Sequence, residues 1–287
     1  MTERILKGLR VALVFPEKLE ARPLYEMREK RVMSMHDILK AHDCEVDLVP
    51  RDKLPESLDN YDFVVAAGGD GTQLDTALRL RDLNRSLMCA VRLFPERSVG
   101  YLCNVDIDDF EAFIDKLDQS GKPLLSQCEP LPRLQCFIDD VAIREPIVND
   151  ILLSHVCPAR AARYSISFNH NEQKQCSSGI WVATNAGSHA ASHAAGAPAL
   201  EKADPLGCIF CVRELSQFSC MDAWDESIEP LKISRFIPGE DELVIESLGS
   251  SLHLYFDGGL VEYSILPHQK ITFKYHSALL RRLKVAG

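Results

Sequence analysis

Gly68-Gly69-Asp70-Gly71-Thr72 sets one carboxylate among glycines, a pattern that offers backbone amides to an anion and a single acid for chemistry. The preceding Asp62-Phe63-Val64-Val65-Ala66-Ala67 reads as a buried strand entered from a polar loop. Thr72 to Leu83 then spaces Leu74, Ala77, Leu78 and Leu83 along one face of a helix. A strand, a glycine turn and a helix start together make a phosphate site, because glycines admit close approach and the first helical amides lack partners. A carboxylate placed there costs electrostatic energy unless it moves a proton or handles a metal. The alternative is a capped turn in which Asp70 bonds local amides.

Two other segments carry similar signals. Ser177 to Ala191 runs from strand to turn to small-residue helix through Thr184-Asn185-Ala186-Gly187-Ser188-His189-Ala190. Small side chains there let a flat ring or a phosphate reach the backbone, or let a helix pack tightly. Val148-Asn149-Asp150-Ile151 brings a polar pair to the start of an apolar strand, where Asn and Asp also serve as turn caps. The Cys208-Ile209-Phe210-Cys211 spacing falls in a strand, so its two thiols point to opposite faces and share neither a metal nor a disulfide. The nine histidines form no HExxH arrangement and no metal-ligand cluster.

The elements that must hold these residues alternate over the first hundred positions. Val11 to Phe15, Cys44 to Val49, Phe63 to Ala67 and Leu87 to Val91 read as strands, and Tyr25 to Ala41 as a helix. Short apolar runs separated by helices predict a parallel sheet covered by helices, with ligands beyond the C-terminal strand ends. Asp106 to Leu117 is an amphipathic helix, and from about Pro123 to Leu266 short β-rich pieces alternate with turns such as Asn169-His170-Asn171 and Asp257-Gly258-Gly259. The division expected is an α/β domain over residues 1–105 and a mainly β-sandwich domain over 106–287. Ile271 to Ala286 packs either on the sandwich or back on the first domain.

Composition narrows the partners. With 287 residues, 46% hydrophobic and 26% charged, the chain is an ordinary globular protein of one large or two ordinary domains. A net charge of -10 argues against sequence-independent nucleic-acid binding. An anionic nucleotide then needs local compensation by amides, metal or cations such as Arg92 and Arg97. No run reaches transmembrane length, and Val11 to Phe15 is too short for a signal-peptide core. Ten scattered cysteines, many in apolar runs, fit a reduced cytoplasmic protein.

In order and spacing, the three segments together resemble the NAD kinases, within the superfamily that includes diacylglycerol-type lipid kinases, over nearly the full chain. Gly68 to Thr72 with Leu74 is similar to the family's Gly-Gly-Asp-Gly-Thr-x-Leu, and Ser98-Val99-Gly100-Tyr101-Leu102 to its glycine-aromatic-leucine segment. Asn149-Asp150 stands where the family carries Asn-Glu, and Thr184 to Ala191 where it carries Thr-Pro-Thr-Gly-Ser-Thr-Ala-Tyr. Cys157-Pro158-Ala159, Ala186-Gly187-Ser188 and Val212-Arg213-Glu214 are most similar to the plant-type NADH kinases, then to the mitochondrial branch.

The resemblance implies an α/β domain of NAD kinase/diacylglycerol kinase type beside a β-sandwich. It implies ATP-dependent phosphorylation of the adenosine ribose 2′-hydroxyl of NADH and/or NAD+, with Mg2+ or Mn2+ accompanying ATP, in a homodimer or larger homo-oligomer. It gives Asp70 the catalytic role, and Gly68, Gly69, Gly71 and Thr72 the phosphates. Tyr101, Asn149, Asp150, Gly187, Ser188, His189 and Ala190 fall to NAD(H), and no residue to a metal. Departures are His189 for Thr, Asn185 for Pro or Ala, Ala191 for Tyr, and Ala194-Ala195-Gly196-Ala197 for Ser-Ala-Gly-Gly. Two other readings stay open: a non-catalytic NAD(H)-binding protein, and a lipid kinase, for which Asp75 is the acid expected after the glycine turn.

Overall fold

The structure, a computed structural model, describes residues 5–17, 22–82, 87–216, 229–249 and 251–284. Leu83 and Ala286, used above, lie outside the described residues. The chain divides into two compact units, Met1–Leu131 with Ser277–Gly287, and Pro132–His276.

In the first unit, β1 (Arg10–Phe15), β2 (Glu45–Pro50), β3 (Phe63–Gly68) and β4 (Leu87–Arg92) lie side by side in the order β2-β1-β3-β4, all parallel. The central runs are continuously apolar because both faces are covered: Phe63 to Ala67 have no exposed surface. Helices α1 (Arg22–Ala41), α2 (Asp70–Leu78) and α3 (Phe110–Gln119) belong to this unit. Phe110, Phe113, Ile114 and Leu117 follow helical spacing and join the same core as Leu13, Val65 and Cys89. That packing carries α3 into the first unit, so the break falls after Leu131 rather than after residue 105, where the residue pattern changes.

The sheet is completed from far along the chain. Short β5 (Val105–Asp106) and the C-terminal strand Leu280–Leu283 both pair parallel with β4. Then β6 (Cys128–Leu131) pairs antiparallel with that last strand. The end of the chain therefore returns to the first unit.

Helix α2 starts two residues before the expected Thr72, because Gly69 is extended (φ −92°, ψ −173°) and caps it. It stops at Leu78, where the Arg79 amide closes on the Thr76 carbonyl at 3.0 Å.

The second unit is a β-sandwich of two six-stranded antiparallel sheets. One orders Asn171–Ser177, Ala162–Phe168, Leu243–Ser247, Lys270–Tyr275, Leu134–Ile138 and Val141–Ala142. The other orders Ile233–Phe236, Cys208–Arg213, Gly179–Thr184, Asp150–His155, Leu252–Phe256 and Val261–Ile265. Their inner faces share a core that includes Tyr164, Ile166 and Ile245 from one and Ile151, Phe210 and Phe256 from the other. The first two strands of the first sheet form a hairpin over Asn169 and His170, both left-handed (φ 47° and 69°) as a tight two-residue turn requires.

Cys208 lies in the inner core, whereas Cys211 packs in a separate cluster with Ala183, Ala197, Leu200 and Ile209. The two thiols do point to opposite faces. Among the described residues, no helix is long and apolar enough to cross a membrane.

Candidate active-site turns

In the first unit the glycine turn joins the C-terminal end of β3 to the start of α2, the position where parallel sheets present ligand sites. Close packing explains the first glycine: a Cβ on Gly68 would lie 2.2 Å from the Thr72 hydroxyl. Thr72 is buried, and its amide donates to the Gly69 carbonyl at 2.9 Å, so this residue closes the turn.

The Asp70 carboxylate is held from across the chain. Its Oδ2 accepts the Tyr101 amide at 3.1 Å, and its Oδ1 accepts the Leu102 amide at 2.8 Å. These are not the local amides of a capped turn. The Leu102 carbonyl in turn accepts Arg282 Nη1 at 2.8 Å, and Arg282 is paired with Glu129. The last strand thereby fixes the residue that fixes Asp70. Tyr101 comes beside Asp70 through its backbone, with its ring half exposed.

Arg92 is not an open cation. Its Nε and Nη2 grip Asp106 bidentately, both at 2.7 Å, and its Nη1 donates to the Val99 carbonyl at 3.1 Å. This pairing holds the Asp106 carboxyl below the usual carboxylate range. The left-handed Gly100 (φ 60°) lies against the arginine stem, where a Cβ would approach Cδ to 2.5 Å. Arg97 is exposed.

The guanidinium beside the turn is Arg51, 3.2 Å from where a Cβ on Gly71 would stand, with its Nε 2.5 Å from Asp75 Oδ2. Sequence reasoning missed Arg51. The available signal was its position directly after β2, at the strand edge where parallel ends gather. Cys103 reaches the Gly68 carbonyl at 3.6 Å, but burial pushes its thiol up to about 12, which leaves it unreactive.

In the second unit Asn149 and Asp150 meet the strand end Thr184 and the turn after it. The Thr184 hydroxyl donates to the Val148 carbonyl at 2.6 Å, and its amide donates to the Asn149 carbonyl at 2.9 Å. Gly187 sits so close that a Cβ would fall 1.9 Å from the Asn149 carbonyl oxygen. Asn149 Nδ2 donates to Asp150 Oδ2 at 3.2 Å. Asp150 is buried, and burial followed by the charge of Asp257 pushes its carboxyl up to about 7. Ser188 is buried, with its hydroxyl between the Asn185 carbonyl at 2.8 Å and the Leu200 amide at 2.9 Å. Ala190 is exposed, and His189 is partly buried, which lowers its affinity for a proton.

No protein-family profile matches the chain. By sequence it is similar to a probable NADH kinase of rice, Oryza sativa subsp. japonica, 30% identical over 168 residues that cover 52% of this chain and 50% of that protein. Its fold matches an NAD kinase from Archaeoglobus fulgidus in complex with ATP, with TM-score 0.72, 21% identity, and coverage of 96% of this chain and 94% of that one. Its fold is similar to that of the NAD kinases.

Yeast NADH kinase complexed with NADH has the same fold, with TM-score 0.70 and 15% identity, covering 98% of this chain and 84% of that one. Human mitochondrial NAD kinase 2 is 38% identical over 80 residues, 28% of this chain and 18% of that protein. The chain spans about half the length of the first curated NAD and NADH kinases it matches. One departure from the NAD kinase pattern has a structural reason. Asn185, where the NAD kinase pattern has Pro or Ala, donates through Nδ2 to the Glu201 and Asp204 carbonyls, both at 2.8 Å, and so tethers the turn. Nothing in the structure explains His189 in place of Thr.

Proposed function

We propose that this protein is an ATP-dependent kinase that phosphorylates the adenosine ribose 2′-hydroxyl of NADH and/or NAD+. The observation that carries this reading is Asp70, fixed by two backbone amides at the first turn of a helix with a guanidinium beside the same glycine turn. A carboxylate has more lone pairs than the two bonds use, so each oxygen can still accept a hydroxyl. Asp70 orients the 2′-hydroxyl and takes its proton as the oxygen attacks the γ-phosphorus of ATP; the bond to the β-bridging oxygen breaks and ADP leaves. The amides of Gly69 and Gly71 and the guanidinium of Arg51 offset charge on the phosphates. Gly68 and Thr72 support the turn by packing.

Tyr101 packs along the dinucleotide, and Asn149 and Asp150 hydrogen-bond its ribose. Gly187, His189 and Ala190 frame the base, and Ser188 holds that frame through its hydroxyl. Among the described residues no three His, Cys, Asp or Glu side chains form a metal cage. Mg2+ would be carried by the ATP phosphates. The metal would neutralise phosphate charge. The same reading makes the enzyme a cytoplasmic homodimer or larger homo-oligomer. The unpaired state of the described cysteines supports that compartment, and light scattering measures the assembly.

The deciding experiment incubates purified protein with ATP and Mg2+ and offers NADH, NAD+ and diacylglycerol in parallel. Formation of NADPH or NADP+ is expected. NADH binding without phosphorylated product would make the protein a dinucleotide-binding module. Phosphatidic acid as the only product would make it a lipid kinase.

A further inference from the structure

We propose that Asp257 is the positioning residue for nucleoside recognition: it bends the chain at Val148 to Asp150 so that the side chains of Asn149 and Asp150 act as one pair. The inference rests on the kinase reading above and extends it to a residue that touches no substrate.

Asp257 follows the strand Leu252–Phe256, whose Phe256 pairs with Ile151. At the point where that ladder ends, its side chain takes over as acceptor. Oδ1 accepts the Asn149 amide at 2.7 Å and the Asp150 amide at 3.1 Å, and Oδ2 accepts the Val148 amide at 3.1 Å. Its own amide donates to the Asp150 carbonyl at 2.9 Å.

Three consecutive amides cannot converge on one group in an extended strand, where successive N–H bonds point to opposite edges. Convergence makes a concave nest around the carboxylate. It also undoes the strand's alternation of side chains, which would otherwise send residues 149 and 150 to opposite faces. The contact between Asn149 Nδ2 and Asp150 Oδ2 is the product of that bend.

The anchor is itself secured. Asp257 is buried in a left-handed conformation (φ 46°), directly before Gly258 and Gly259, which are also left-handed. Burial raises its carboxyl, but the three amides and the fully buried Arg133 pull it back toward the charged form. On the carbonyl side, Thr184 and Gly187 hold Val148 and Asn149. The pair is thus gripped by its two neighbouring strands, amides on one side and carbonyls on the other.

The test combines amide hydrogen exchange with substrate titration in Asp257→Asn. This isosteric change keeps one acceptor oxygen and turns an NH2 group toward an amide. Exchange at Val148 to Asp150 should speed up, and the KM for NADH should rise about tenfold, the scale of one lost charge-assisted hydrogen bond, with the KM for ATP unchanged. A general loss of structure would instead move both KM values and the melting temperature together. Unchanged exchange at these amides overturns the proposal, as does faster exchange with an unaltered KM for NADH. If Asp257→Asn does not fold, Thr184→Val loosens the carbonyl side and should raise the KM for NADH, while Thr184→Ser restores it; equal values for the two overturn the proposal. Wild-type protein that neither binds nor phosphorylates NADH overturns the kinase reading and this inference together. Wild-type activity with an unresponsive Asp257→Asn overturns this inference alone.

Discussion

Asp70 and Asp150 both stand at a strand terminus beside a glycine turn, yet they meet opposite surroundings. Asp70 is partly open and accepts two backbone amides from across the chain. Asp150 is buried, and the three amides of its own turn go to Asp257, leaving it the side-chain amide of Asn149 and a second carboxylate nearby. In the second turn burial raises both carboxyls, Asp257 to about 6 and Asp150 to about 7, and the three amides hold Asp257 the lower of the two. Asp257 collects them in the second unit, so Asp150 is the group that keeps a proton toward neutral pH.

The largest expected effect breaks the comparison on the Asp70 side. Asp70→Asn should lower kcat by about 10²–10⁴-fold, the usual scale for a positioned acid or base, and change the Kd for NADH and ATP only a few-fold. Steady-state kinetics with direct nucleotide titration measures this. Near-normal turnover would leave Asp70 as no more than a loop anchor.

Next come the glycines. Gly187→Ala puts a methyl group against the rigid Asn149 carbonyl and should cost about 3 kcal/mol in urea unfolding. Gly71→Ala meets only the end of the Arg51 side chain and should stay within about 1 kcal/mol of wild type. Equal costs would mean that the two turns are not gripped differently.

Arg51→Ala should raise the KM for ATP about tenfold, as loss of one phosphate contact would, and leave the KM for NADH unchanged. Arg92→Ala, which removes the clasp on Asp106 and Val99, should lower the melting temperature instead. The reverse pattern would return Arg92 to the ligand and make Arg51 structural.

The smallest effect concerns pH. Asp150 titrates at about 7 in the folded protein against 3.8 in the unfolded chain, so between those values the folded state binds the extra proton. Stability from this group is full below about pH 4 and is lost as pH rises through about 7. Asp150→Asn should flatten that decline in melting temperature measured from pH 4 to pH 8. A parallel curve would show that Asp150 ionises normally.

Much of the first turn was legible because its signal is local. Strand, glycines and helix follow one another within a few residues, and their periodicity survives burial. The same holds for Cys208 and Cys211, whose opposite orientation follows from strand geometry alone. Arg51 was not legible, because it reaches Gly71 from another element and a single arginine carries no spacing. Arg92 was legible only as a nearby cation; its engagement with Asp106 depends on β4 and β5 pairing, which no local pattern states. Helix α3 follows the change of texture at residue 105 in sequence but packs back on the first core.

By itself, the sequence determined the two architectures, the glycine turn with its acid, and the polar pair before the strand at 150. Alternation, turn residues and glycine spacing are properties of neighbouring positions, and elementary sterics converts them directly into elements. Tertiary structure alone decided which groups those residues meet. Leu102 and Arg282 fix Asp70, Asp257 and Thr184 fix Asn149 and Asp150, and the final strand closes the first sheet. Those partners lie from tens to more than two hundred residues away, and strand pairing brings them together at the strand ends. The charge state of Asp150 is a consequence of that packing, since burial and a second carboxylate exist only once the sheets have formed.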